Sequence, residues 1–139
     1  MAKPRPQVLG FKSESNFKAY FFKHFVRAMV FANRCGTSVR VIFRDTDWIH
    51  VFWDDGRAFD LARAERLPWI LEALQRPEQI REGRRPDREV YLLTRAKWGE
   101  DFSVIVRAPN KKGVSYFVTA YPLEMKSLLK ILTHRRACQ

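Results

Sequence analysis

Cysteine is scarce in this sequence, and long apolar runs are missing. Cys35 and Cys138 are its only cysteines, so we do not expect the disulfide framework that holds many small secreted domains together. No apolar run approaches the roughly 20 residues that a membrane-spanning helix needs. The segment Met1–Arg5 is not followed by the apolar core of a signal peptide. We therefore expect a soluble cytoplasmic protein without a membrane partner.

Motifs of the common catalytic mechanisms are missing as well. The chain contains no GxxxxGKS/T phosphate loop, no GxGxxG dinucleotide loop, no HExxH zinc motif and no GxSxG nucleophile elbow. His24, Cys35, His134 and Cys138 are too sparse for a zinc site. Most acids lie in turn sequences, where backbone geometry alone favours aspartate. We expect neither a metal nor a cofactor.

Acidic residues are outnumbered by basic ones. The chain has 26 Lys and Arg against 15 Asp and Glu, which gives a net charge of +11 at pH 7. A field of this sign attracts polyanions, and nucleic acid is the commonest intracellular polyanion. A solubilising surface, an acidic protein or an anionic membrane would also account for the charge.

The chain length and the lack of internal repeats predict one domain of 139 residues. We divide it into a basic arm at 1–12, a helix and strand extension at 13–47, and a core at 48–136. In the extension, Ser13 or Ser15 can cap a helix that runs to residue 33, followed by a strand at 37–44.

The first part of the core reads as two strands joined by a hairpin. Strand-forming residues predict a strand at Trp48–Trp53, and Asp54–Gly56 then predicts a turn into Arg57–Leu61. Alternation along the first of these strands places His50 between aromatic residues on one face. Such a histidine can be a packed or interface residue, but it is also the only histidine on a predicted strand.

The rest of the core reads as a helix and a meander. Ala62–Gln75 predicts a helix broken at Pro68, followed by a turn around Ile80 and a polar loop at 81–88. Strands are predicted at Arg88–Thr94, Asp101–Arg107 and Val114–Ala120, with a final helix after Pro122. The expected fold is α+β: an antiparallel twisted sheet, made of N-terminal strands and this C-terminal three-stranded meander, with helices packed on it.

Side chains on the last predicted strand of the meander suggest a catalytic mechanism. Thr119 and Tyr121 share one face of it, and Arg107 ends the neighbouring strand. RNA can be cleaved without a metal because the ribose 2′-OH supplies the nucleophile, so the enzyme needs a proton-transfer group, a cation and a surface for single-stranded RNA. With His50 as the acid–base group, the catalytic candidates are His50, Arg107, Thr119 and Tyr121.

Loops and turns supply the candidates for RNA binding, because they can hold phosphates and stack a base. The polar loop at 81–88 is equally well explained as a solvated connection. The RNA-binding candidates are Arg84, Arg85, Arg88, Arg95, Lys97, Trp98, Lys111 and Lys112.

Several segments between about residues 48 and 132 also resemble those of a known family. They are Phe59–Ile80, Val90-Tyr-Leu-Leu, Phe102–Arg107 and Tyr116-Phe-Val-Thr-Ala-Tyr-Pro122, of which FVTAYP is the most specific. This helix ending in an xxPxxI turn, followed by strands that close on a TAY motif, resembles the Barnase–EndoU–ColicinE5/D–RelE-like nuclease superfamily, especially its phage- and mobile-element-associated branch.

The resemblance implies helices against a curved antiparallel sheet and a metal-independent ribonuclease, often a toxin, with residues 48–136 as a nuclease-like core. The superfamily's varied catalytic sets would fall here on Thr119, Tyr121, Arg107 and His50. The implied partners are RNA and an antitoxin or immunity protein with an acidic surface. Two alternatives stay open: a non-catalytic nucleic-acid-binding accessory protein, and a basic protein-interaction module of a phage or mobile element.

Overall fold

A computed structural model describes residues 7–54, 57–95 and 100–138 and confirms the α+β class. The helices are α1 (Glu14–Phe21), α2 (Asp47–Phe52), α3 (Leu61–Ala64), α4 (Leu67–Gln75) and α5 (Met125–Ile131). The strands are β1 (Val30–Arg34), β2 (Thr37–Ile42), β3 (Trp53–Asp54), β4 (Ala58–Phe59), β5 (Gln79–Glu82), β6 (Arg88–Arg95), β7 (Glu100–Arg107) and β8 (Val114–Leu123). No helix in the described part of the chain is long and apolar enough to cross a membrane.

The main sheet has six strands and is mixed, so the prediction of a purely antiparallel sheet is wrong. The strand order is β1-β2-β8-β7-β6-β5, and β3 pairs with β4 in a separate hairpin. Neighbours in the main sheet are antiparallel except β2 and β8, which run parallel with Ile42 opposite Tyr116. A parallel pair needs a long crossover. The pattern within β2 does not reveal which distant strand it will join.

The predicted C-terminal meander is confirmed, and it has a fourth strand. Strands β6, β7 and β8 pair in chain order, and β5 pairs with β6. The predicted turn around Ile80 is therefore part of a strand, in which Ile80 is buried. The break that Pro68 predicts is confirmed, because α3 ends at Ala64 and Pro68 lies in the first turn of α4.

The N-terminal helix is shorter than the predicted range of 13–33. Ser13 caps α1 by accepting a backbone N–H of its first turn, and a turn of π-helix at Phe22–Val26 follows. The chain then enters β1. After β1, Cys35 and Gly36 adopt φ angles of 52° and 89° and form a two-residue hairpin turn into β2. Strand pairing thus overrides the helical spacing of the apolar residues.

Residues 48–53 were predicted as a strand, but all except the last belong to helix α2. Trp48, Val51 and Phe52 are buried at helical spacing, whereas His50 is exposed. The Trp48 and Phe52 rings stack with their centres 4.8 Å apart. A short run that is apolar almost throughout fits either period, so periodicity could not identify this helix.

Asp47 helps to begin α2. Its Oδ2 accepts the backbone N–H of Arg44 at 2.8 Å, and its negative charge suits the positive pole of the helix. Burial raises the pKa of the Asp47 carboxyl, and the hydrogen bond from Arg44 acts in the opposite direction. Asp47 is thus the first residue of α2, directly after a turn at residues 45–46.

The two faces of the sheet are covered differently. On the core face, buried side chains pack with those of α1, α2 and α4. Those from β6, β7 and β8 are Tyr91, Leu93, Phe102, Val104, Val106, Phe117 and Ala120. On the opposite face, which we call the outer face, Val90, Leu92 and Leu123 form a smaller cluster with Leu128 of α5. The short helix α5 covers only part of the outer face.

The sheet curls until the end of β1 meets β6. The Arg34 guanidinium donates to both carboxylate oxygens of Glu89, at 2.8 and 2.7 Å. The Glu89 side chain is 6 % exposed, so this is a largely buried, bidentate ion pair. Hydrogen bonding to Glu89 raises the pKa of the Arg34 guanidinium.

A disulfide joins Cys35 to Cys138, which the sequence did not lead us to expect. Their Cα atoms are 6.3 Å apart. The bond forms because the C-terminal tail is not frayed: its backbone pairs with β5, and the Ala137 N–H reaches the Ile80 carbonyl at 3.0 Å. We call Arg34, Glu89, Cys35 and Cys138 the seam. Disulfides persist mainly in oxidising compartments, so the cytoplasmic location stays a prediction.

Candidate nucleic-acid interface

Thr119 and Tyr121 lie on the outer face, side by side along β8 as their spacing predicts. They are opposite Ile105 and Ser103 of β7, and both are half-buried. The Ser103 hydroxyl donates to the Tyr121 backbone carbonyl at 3.2 Å, which ties the two strands together here. The two residues therefore lie on a strand that is hydrogen-bonded to β7.

A β-bulge in β8 adds Tyr116 to this face. Val106 of β7 is opposite Phe117, although the preceding residue of β7 is opposite Thr119, so Val118 is an extra residue. Without the bulge, alternation would place Phe117 and Thr119 on the same face and Tyr116 on the other. With it, Tyr116 and Thr119 both belong to the outer face.

Arg107 also lies on the outer face, at the end of β7. It is two residues beyond Ile105, the partner of Thr119, which corresponds to roughly 7 Å of strand. Its side chain is 52 % exposed, and its Nη1 is 3.7 Å from Oδ2 of Asp87. A guanidinium that is this exposed and only loosely held can accept a phosphate as a partner.

Two loops meet at the end of the sheet where Arg107 lies. Residues 83–87 connect β5 to β6, and residues 108–113 connect β7 to β8. The Ala108 N–H donates to the Asp87 carbonyl at 2.8 Å and links the loops. The exposed basic residues of this region, which we call the basic rim, are Arg44, Arg84, Arg85, Arg107, Lys111 and Lys112.

The turn before β8 holds its two lysines outward. The Asn110 side chain accepts the backbone N–H groups of Lys112 and Val114, at 2.9 and 3.1 Å. Gly113 has a φ of 73°, which favours glycine at that position. Lys111 and Lys112 are exposed on this closed turn.

Arg88 has a different role from the rest of the loop. Its Nη1 lies 2.5 Å from Oδ2 of Asp87, and its side chain is only 13 % exposed. The loop also packs tightly on it, because a Cβ at Gly83 would lie 2.6 Å from the Cβ of Arg88. Arg88 therefore shapes the loop that presents Arg84 and Arg85.

The other RNA-binding candidates belong to the opposite end of the sheet. Arg95 is the last residue of β6, opposite Glu100, and seven residues beyond Arg88. That distance is roughly 23 Å along the strand. Lys97 and Trp98, which were predicted to lie in a turn, are outside the described residues. The structure does not bring Arg95 to the basic rim.

A cavity of about 390 Å³ opens beside the rim, and we call it the basic cavity. Arg44, Asp87, Arg107, Asn110 and Tyr116 are among the residues that line it. The Arg44 guanidinium lies 5.8 Å from the centre of the Tyr116 ring. The cavity thus combines two guanidinium groups with an aromatic ring and polar side chains, which is a suitable chemistry for a nucleotide.

His50 lies elsewhere, on α2, where it lines a second cavity of about 470 Å³ together with Arg63. Arg63 connects this cavity to Tyr121. Its Nη1 donates to the Val51 carbonyl at 2.8 Å, and its guanidinium carbon is 5.7 Å from the Tyr121 ring centre. The structure therefore relates His50 to Tyr121 through Arg63. It does not bring His50 to Arg107.

The sequence interpretation missed Arg44, Tyr116 and Arg63. Tyr116 lies within the FVTAYP-containing segment, but simple alternation assigns it to the wrong face, and nothing in the segment marks the bulge at Val118. Arg44 lies two residues beyond the end of β2, a strand that was predicted at 37–44 and whose neighbour in the sheet the sequence did not reveal. Arg63 lies outside the apolar stripe of the helix predicted at 62–75, and that position alone is only a weak indication of a functional role.

Among the described residues, no group of three or more His, Cys, Asp or Glu side chains could hold a metal ion. The expectation that the protein needs no metal or cofactor remains a prediction. No family model, no curated protein and no solved structure matches this chain. The resemblance to the nuclease superfamily therefore also remains a prediction.

Proposed function

We propose that this protein binds single-stranded RNA along the outer face of its sheet and cleaves it without a metal. The observation that carries the proposal is the convergence of exposed cations at one end of a face that also presents Tyr116, Thr119 and Tyr121. Cations hold the phosphates, and hydroxyl or phenol groups hydrogen-bond the reacting group.

The proposed reaction transfers the phosphoryl group from the 5′-oxygen of the next nucleotide to the 2′-oxygen. The 2′-oxygen attacks the adjacent phosphorus and gives up its proton to a base. The bond between phosphorus and the 5′-oxygen breaks, and that oxygen gains a proton. The products are a 2′,3′-cyclic phosphate and a 5′-hydroxyl. Because the transition state concentrates negative charge on the phosphoryl oxygens, nearby guanidinium groups accelerate the step.

The roles follow the positions of the side chains. Arg107 and Arg63 lie toward the two ends of the Thr119–Tyr121 pair and would bind the reacting phosphate and its neighbour. The Thr119 hydroxyl and the Tyr121 phenol would donate hydrogen bonds to the phosphoryl oxygens. His50, in the cavity on the far side of Arg63, is the candidate for proton transfer, because histidine is the side chain that most often serves as a general acid or base.

A second function, non-catalytic RNA binding, is favoured by one specific observation. The histidine is separated from Arg107 by the length of the Thr119–Tyr121 segment, and Tyr121 packs partly against the cluster under α5. An accessory protein would need the basic rim and Tyr116 but no proton-transfer group beside them.

The deciding experiment is incubation of mixed cellular RNA with the protein in EDTA, followed by mapping of the product ends. The variants are Arg107→Ala, Thr119→Ala, Tyr121→Phe and His50→Ala. The matched control is Arg76→Ala, which removes an exposed arginine that pairs with Glu72 away from the rim. We expect cyclic phosphate ends with wild type and the control. Arg107→Ala should lower the rate on the order of 100-fold, as removal of other transition-state donors does.

The alternative outcomes separate the proposals. RNA that stays intact in all samples while wild type still binds it would refute cleavage and leave the accessory role. Intact RNA without any binding would refute both, and would favour the basic module that docks on an acidic protein. Cleavage that survives in every variant would place the active site elsewhere on the chain.

A further inference from the structure

The central feature of the basic cavity is a half-buried aromatic ring between two arginines. Tyr116 belongs to β8, and the strands on either side of it carry Arg44 beyond the end of β2 and Arg107 at the end of β7. All three line the same cavity. Arg107 is held only loosely there, since its Nη1 lies 3.7 Å from Oδ2 of Asp87.

An aromatic ring flanked by guanidinium groups matches the parts of one nucleotide. A base stacks on an aromatic ring whatever its sequence, because every base has a π-face. Guanidinium groups bind the phosphates on the two sides of that base. In duplex RNA the bases are already stacked on each other, so such a platform selects unpaired nucleotides.

The Arg44 guanidinium covers the Tyr116 ring in the structure, and this contact does not prevent binding. A cation–π contact at an exposed site is weak, and it is weaker than the stacking of a base on the same ring. An incoming base therefore displaces the guanidinium from the ring. Arg44 is then free to bind the phosphate that arrives with the base.

Asp87 adds a further constraint at the wall of the cavity. Its Oδ2 contacts Arg88 closely and Arg107 more distantly. The carboxylate orients the Arg107 side chain while the cavity is empty, and a phosphate competes for the same guanidinium. The loop residue thus positions Arg107 rather than contacting RNA.

We infer that the basic cavity is a subsite for one unpaired nucleotide, with Tyr116 as the platform for its base and Arg44 and Arg107 as ligands of its phosphates. The inference rests on the proposed binding of RNA, and it goes further by locating a subsite for one nucleotide and naming the ring that selects an unpaired base. It does not depend on whether the protein cleaves the RNA.

The test is fluorescence anisotropy with a short single-stranded 2′-O-methyl oligonucleotide, whose blocked 2′-oxygen cannot attack the phosphorus. The same strand annealed to its complement is the second probe. The variants are Tyr116→Leu, Tyr116→Phe and Arg44→Ala, each measured well below its own unfolding temperature. The salt dependence of binding is recorded for each.

We expect Tyr116→Leu to lose roughly tenfold in affinity for the single strand and little for the duplex. Tyr116→Phe keeps the ring and should bind like wild type. Tyr116→Leu should leave the salt slope unchanged, whereas Arg44→Ala should reduce it by about 0.7, the value for one phosphate contact on a single strand.

Three results would overturn the inference, and they are distinguishable. If wild type binds the single strand and Tyr116→Leu binds it equally well, the platform is wrong but RNA binding stands. If wild type does not bind the oligonucleotide at all, the proposed function fails with it. Equal losses for single strand and duplex would show that Tyr116 only supports the fold of the rim.

Discussion

The seam and the basic rim both contain arginine, but they use it in opposite ways. At the seam, Arg34 makes a bidentate pair with Glu89, and the disulfide lies one residue away. At the rim, Arg107 is half exposed and meets a carboxylate only at 3.7 Å. A basic side chain contributes to the fold where a buried acid meets it. It remains available for a ligand where the acid that meets it is exposed and more distant, as Asp87 is for Arg107.

This difference between the arginines of the seam and the rim explains why net charge alone could not locate a binding surface. The chain has 26 Lys and Arg, yet Arg34 at the seam is already paired with Glu89, and Arg66 is paired with Glu100. The rim residues are neighbours because the sheet register brings two loops together. Changes at the seam should therefore affect stability, and changes at the rim should affect binding.

The largest expected effect is at the seam, through Cys138→Ser. The disulfide links residues 103 positions apart, and a loop of that length implies a loss of about 5 kcal/mol of unfolding free energy when it is opened. Urea unfolding of wild type and variant, with and without dithiothreitol, measures this. Wild type in reductant should match the variant, and identical midpoints in all four samples would contradict the prediction.

Arg34→Ala should have the next largest effect, about 3 kcal/mol, because it leaves the buried Glu89 carboxylate without its partner. Adding Glu89→Gln should recover part of the loss, since no buried charge then remains. RNA affinity below the unfolding temperature should not change. A loss of affinity with unchanged stability would mean that the seam, too, takes part in binding.

At the rim, the combined change of Arg84, Arg85, Lys111 and Lys112 to Ala should lower RNA affinity on the order of 100-fold without a change in stability. The matched control removes four exposed charges away from the rim: Lys12, Lys18, Lys23 and Arg76. Anisotropy titrations over a range of salt concentrations compare the two. Equal losses would show that net charge, and not the rim, attracts the RNA.

The smallest effect tests the charge of the buried Asp47 carboxylate. Burial raises the pKa of the Asp47 carboxyl in the folded state, so the ionised form destabilises the fold at neutral pH. Asp47→Asn keeps an acceptor for the Arg44 N–H and should add less than about 1 kcal/mol at pH 7. The gain should disappear as the pH falls and wild-type Asp47 is protonated in both states. A gain that grows toward low pH would contradict this sign.

Local patterns in the sequence were sufficient for several elements. The meander, the Ser13 cap and the break at Pro68 all depend on neighbours a few residues away, and the structure confirms them. The prediction of a strand at residues 48–53 failed because local patterns were not sufficient there. This short apolar run fits both periods, and only packing of Trp48 and Phe52 in the core selects the helix.

The sequence by itself determined the α+β class, the positive charge and the side-by-side positions of Thr119 and Tyr121, because composition and alternation are local properties. Tertiary structure decided which strand β2 joins, where β8 bulges, and which loops share an end of the sheet. Those choices join residues far apart in the chain, such as Arg44 with Tyr116 and Cys35 with Cys138. They depend on the packing of the whole core, which no single segment of the chain encodes.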